Sequence, residues 1–141
     1  MLRALFCSAS LMACSFFTLA AQDKPKIKEV PPSPTSPASG KDMFRAYCAP
    51  CHGIMAKGDG PAAPALKKTP TDLTQLAAKN GGKFPAIRVY AQIEGDSMTP
   101  AHGAKGMPIW GDVFRSMSHN EGEIKMRINN LTRYVESMQV K

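Results

Sequence analysis

Cys48-Ala49-Pro50-Cys51-His52 brings reactive side chains together at a spacing with a defined chemistry. Two thiols three residues apart sit on about one helical turn and reach the two vinyl groups along one edge of a haem. The adjoining histidine then lies under the iron, where an imidazole nitrogen ligates it. These five residues specify covalent attachment of one c-type haem, with Cys48 and Cys51 as thioethers and His52 as proximal ligand. Two other chemistries use paired thiols. A thioredoxin-like redox pair needs a surrounding βαβ pattern, which this sequence lacks. A zinc site needs a second Cys/His pair at ligand spacing, and none follows residue 21.

A ligand on the opposite haem face has to come from elsewhere in the chain. Methionine sulfur is one arrangement for cytochromes c. Met43, Met126 and Met138 fall on helical faces and are expected in the core. Met55 is too close to His52 to reach around the ring. Met98, Met107 and Met117 are left as sulfur candidates, with His102 and His119 as imidazole candidates.

The elements that must position these groups read as helices. Lys41 to about Ala49 carries Met43, Phe44 and Tyr47 at helical spacing. Thr71 to Ala78 starts with capping residues and stops at Asn80-Gly81-Gly82. Phe84-Pro85 opens a helix with Ile87, Tyr90, Ala91 and Ile93 facing inward, closed by Gly95. In the last helix Ile124, Ile128, Leu131, Val135 and Met138 recur at steps of 4, 3, 4 and 3, behind a capping-box spacing at Ser118 and Glu121. No stretch alternates with period two, so the domain reads as all-α. About 100 residues with long Gly/Pro loops make a thin core, and a buried cofactor would fill it.

The N-terminus has export features. Arg3 precedes an uncharged apolar stretch from Ala4 to about Ala21, with small residues at Thr18, Ala20 and Ala21. Residues 1–21 are expected to be a signal peptide; an uncleaved membrane anchor and a lipidated Cys14 in Leu11-Met12-Ala13-Cys14 are the alternatives. Each sends the rest of the chain across a membrane, to the periplasm. Residues 22–39 hold five prolines and few apolar residues, the composition of a flexible, extended linker. The domain proper is expected over residues 40–141. Without residues 1–21 only Cys48 and Cys51 remain, which excludes a disulfide framework. The formal charge of +7 is scattered, with no Lys/Arg run of the kind that binds nucleic acid.

Cys48-Ala-Pro-Cys51-His52-Gly53, then Gly58-Asp59-Gly60-Pro61-Ala62, then Gly106-Met107-Pro108-Ile109-Trp110-Gly111 resemble the small bacterial class I cytochromes c, in order and over nearly all of residues 40–141. The resemblance implies an all-α, cytochrome c-like fold of about four to five helices wrapped around one covalently attached haem c. It implies that Met107 is the distal iron ligand opposite His52. It also implies that Pro61, with Pro64 as rival, lends its carbonyl to the His52 ring. Gly40, Phe44, Leu131 and Tyr134 resemble the family's crossing of first and last helices, and Trp110 and Arg88 resemble residues near the haem propionates.

An iron with both axial positions filled has no open site for a substrate but can change by one electron. The function expected is therefore a periplasmic electron carrier and not an enzyme. A haem subunit of a larger oxidase or dehydrogenase, and a peroxidase or gas-binding haem protein, are the alternatives. Lys57, Lys67, Lys68, Lys79, Lys83 and Lys105 fall in loops expected around the haem. Such a basic rim would steer docking to an acidic patch on a redox partner, such as a terminal oxidase, bc-type complex or dehydrogenase. Contact with a membrane is expected only through the N-terminus.

Overall fold

The computed structural model describes residues 30–95 and 109–140. Among them the regular structure is helical: α1 Gly40–Met43, α2 Ala49–His52, α3 Ala86–Glu94, α4 Trp110–Met117 and α5 Glu121–Ser137. The chain thus has the all-α build expected of it. No helix among the described residues is long and apolar enough to cross a membrane. Residues 1–21, with their export features, lie outside the described residues.

The segment read as a helix from Lys41 runs on to His52. Ser39 caps it by accepting from the Asp42 amide at 3.1 Å. Phe44–Cys48 is wound as a π turn between α1 and α2. The run buries Met43, Phe44, Tyr47 and Ala49 on one side and leaves Lys41, Asp42 and Arg45 in water.

α5 is the main wall of the core. Ile124, Ile128, Leu131 and Val135 are all at most 4% exposed, each burial contributing roughly 1.5–3 kcal/mol. Its cap differs from the expected one. Asn120 is the N-cap, its Oδ1 accepting from the amides of Gly122 at 2.9 Å and Glu123 at 3.2 Å. Ser118 instead donates to the Glu123 carboxylate. Met138 packs half-buried on the core as expected, but Met126 points to solvent. Ile87 corrects the reading of α3: it is 89% exposed, while Tyr90 and Ile93 supply the packing face.

α1 crosses α5 where no side chain intervenes. A β-carbon on Gly40 would overlap the Asn130 carbonyl and press on Tyr134. One residue-turn on, the Phe44 and Tyr134 rings meet at 5.4 Å. The crossing of first and last helices at Gly40, Phe44, Leu131 and Tyr134 is therefore the one the sequence suggests.

The helix expected from Thr71 to Ala78 is not formed. Two 3-10 turns, Leu73–Gln75 and Ala78–Asn80, stand there instead. The cause is competition for backbone groups. Asp72 Oδ1 accepts from the Thr74 amide at 2.9 Å and its hydroxyl at 2.6 Å, which closes a side-chain turn. Gln139, arriving from the end of α5, donates to the Leu73 carbonyl at 2.7 Å and accepts from the Ala77 amide at 2.9 Å. Those are the carbonyl and amide that an α-helix would have joined to each other.

Residues 33–37 were expected to be solvated spacer, yet they are bonded onto the domain. Tyr47 donates its hydroxyl proton to the Ser33 carbonyl at 2.7 Å, so Thr35 donates to the Tyr47 oxygen, also at 2.7 Å. Arg127 donates to Thr35 at 3.3 Å, and Asn130 to the Pro37 carbonyl at 2.9 Å. The linker's last residues belong to the folded unit.

Candidate functional site

Cys48 closes the π turn and Cys51 lies one turn later on α2, which ends at His52. Both thiols are half-buried, free and on one helical run. Burial, and secondarily the charge of Cys51, pushes the Cys48 thiol up to about 12; burial also raises Cys51. That direction is opposite to the lowered thiol pKa of disulfide oxidoreductases. Among the described residues no three His, Cys, Asp or Glu side chains are placed to share a metal ion.

His52 is buried, at 8% exposed. Its Nδ1 lies 2.9 Å from the Thr71 carbonyl. A carbonyl only accepts, so Nδ1 carries the proton and Nε2 keeps its lone pair for a metal. Burial holds the ring's pKa below its ordinary value against the opposing pull of that bond, which favours the neutral imidazole, the form that ligates. This corrects the expectation for Pro61 and its rival Pro64. The ring's acceptor is Thr71, nineteen residues along the chain, which no short motif would reveal.

Pro61 does a different job. The carbonyls at the end of α2 point toward the Gly58–Ala62 loop, which caps them: Gly58 donates to His52 at 2.8 Å, Gly60 to Cys51 at 3.1 Å and Ala62 to Pro50 at 2.9 Å. Pro61 stands between two of those donors and has no amide of its own. Gly58 has φ +84°, and a β-carbon there would overlap the Pro70 carbonyl, beside Thr71. The Ala56 carbonyl accepts from the Leu73 amide at 2.8 Å. Loop 53–60 and segment 70–73 are therefore one joined support for the imidazole.

Met107, Met98 and His102 lie outside the described residues. The ends flanking them are described and meet. Gly95, at the end of α3, lies directly against the Ile109 side chain, and Gly111 against the Glu94 carbonyl. Met117 packs half-buried against the core and His119 is exposed. Trp110 stacks on Tyr47 at 5.1 Å and also faces Phe114 at 6.0 Å. Arg88 is exposed on α3, its guanidinium donating to Asn80 at 3.2 Å.

The residues present fit a covalent haem. Cys48 and Cys51, on one turn, would hold the group through two thioethers, and His52 beside them would offer Nε2 to its iron. The profile of the family described as "Cytochrome C oxidase, cbb3-type, subunit III" matches residues 35–121. The chain belongs to this family of c-type cytochromes. Comparison with curated proteins and with solved structures gives no match. The cytochrome binds haem c covalently, its Cys48 and Cys51 standing in the C-x-x-C-H arrangement with His52, and its role is electron transfer. Bound haem supplies a one-electron couple at its iron. The protein's part is to fix the ring of His52 and cap the helix that bears it.

Proposed function

We propose that this cytochrome is an exported, periplasmic one-electron carrier, without enzymatic turnover, whose iron is ligated by His52 and Met107. The observation that carries the reading is the His52–Thr71 bond, which leaves Nε2 of a neutral, buried imidazole beside two free thiols. Met107 is supported by Gly106-Met107-Pro108. Pro108, with its fixed φ, stiffens the segment that presents the sulfur, and Gly106 lets its backbone come close to a haem. A thioether ligand favours the reduced iron and raises the potential.

Trp110 and Arg88 are read as propionate neighbours. Lys57, Lys67, Lys68, Lys79 and Lys83 are exposed and form the described part of a basic rim for an acidic redox partner. Residues 1–21 are the export signal in this reading.

The name of the matching family favours a second reading, in which the chain is the haem subunit of a larger oxidase complex. Membrane fractionation with haem staining separates the two. A free carrier is recovered from the periplasmic fraction, with a mature N-terminus near Ala21 or Gln22. A subunit co-purifies with membrane-bound partners. An oxidised spectrum of a five-coordinate iron would refute ligation by both His52 and Met107 and favour a peroxidase.

A further inference from the structure

We infer that Gln139 is a positioning residue for the haem's proximal histidine. It lies 87 positions after His52 and just past the end of α5. The inference rests on the reading of His52 as iron ligand.

Gln139 is half-buried, and each polar atom of its side chain is engaged. Nε2 donates to the Leu73 carbonyl at 2.7 Å and to the Val135 carbonyl at 2.9 Å. Oε1 accepts from the Ala77 amide at 2.9 Å. Beside it, the Val140 amide donates to the Thr74 carbonyl at 3.1 Å. Left to itself, segment 71–78 has the sequence of a short helix, with Asp72 as its cap. In an α-helix the Ala77 amide would bond the Leu73 carbonyl directly. Gln139 occupies both partners and holds the segment in its 3-10 form. Thr71 sits two residues before Leu73, and its carbonyl is the one that accepts from His52. The orientation of that carbonyl is thus tied to a side chain anchored through Val135 to the main core helix.

The consequence is electronic. A carbonyl that accepts strongly from Nδ1–H makes the imidazole a stronger donor and favours oxidised iron. Loosening segment 71–77 weakens that bond and raises the reduction potential. A side chain that only stabilised the fold would change the melting temperature and leave the potential alone.

The test uses the haem-loaded protein as purified from cells competent for cytochrome maturation. Proton NMR of the wild type is read first: haem-shifted ring resonances of His52 establish it as ligand, while their absence overturns that reading and this inference with it. Gln139→Leu, near-isosteric and unable to hydrogen-bond, is then compared with wild type by potentiometric titration and by proton NMR of the His52 Nδ1–H. The expected results are a higher potential and faster exchange of that proton with solvent. Gln139→Met, uncharged, more flexible and equally unable to hydrogen-bond these groups, carries the test should Gln139→Leu fail to fold, with the same higher potential and faster exchange expected. A potential and exchange rate equal to wild type in the folded variants, with His52 established as ligand, overturn the inference alone.

Discussion

The imidazole of His52 is held by the backbone carbonyl of Thr71, 2.9 Å from Nδ1. A backbone acceptor cannot be removed by substitution, but its support can. Gly58→Ala puts a β-carbon into the Pro70 carbonyl at a φ of +84°. It is expected to cost roughly 1–3 kcal/mol. Thermal denaturation measures the loss, and haem per polypeptide is expected to fall with it. An unchanged melting temperature would remove the rigid support described for this loop.

Replacing Cys48 or Cys51 by Ala leaves one thioether and weakens covalent capture; replacing both abolishes it. Protein made in a cell competent for cytochrome maturation, run on a denaturing gel and stained for haem, checks this. Stain that persists in the double variant contradicts attachment at these thiols.

Met107→Ala is expected to remove the sulfur-to-iron absorption band of the oxidised protein, lower the potential and open the iron to added ligands. Met98→Ala and Met117→Ala are expected to leave the band in place, Met117 because it packs against the core. Optical spectra of the three variants decide the ligand.

Glu123 bonds Arg127 at 2.9 and 3.1 Å, and Arg127 is 5% exposed. The Arg127 hydrogen bond, and after it the one from Ser118, holds the Glu123 carboxyl below its ordinary 4.5. A depressed folded pKa means the contribution is full above the ordinary value and is lost as pH falls through the lowered one. Melting temperatures of wild type and Glu123→Gln are therefore expected to differ at pH near 7 and to converge on acidification. A gap that stays constant down to about pH 3 would show that the pair contributes nothing.

The sequence by itself determined the chemistry and the core helix. Five adjacent residues name haem attachment because the spacing of two vinyl groups is met within one helical turn, a local matter. The stripe from Ile124 to Val135 is legible because one helix face repeats with a fixed period. Capping is local too, but Asn120 and Ser118 compete for one helix start, and only the fold chooses Asn120. What the tertiary structure decided is everything held by distant partners. Segment 71–78 has helical sequence, yet Gln139 takes the bonds a helix would make. The linker's last residues look like spacer, yet Tyr47, Arg127 and Asn130 claim their polar groups. Pro61 stood in the expected motif, yet Thr71 faces the ring. Composition and periodicity report which face of an element is apolar; they carry no record of which remote backbone group will satisfy a buried donor. That pairing exists only once α5 and the loops it crosses have packed around the attachment turn.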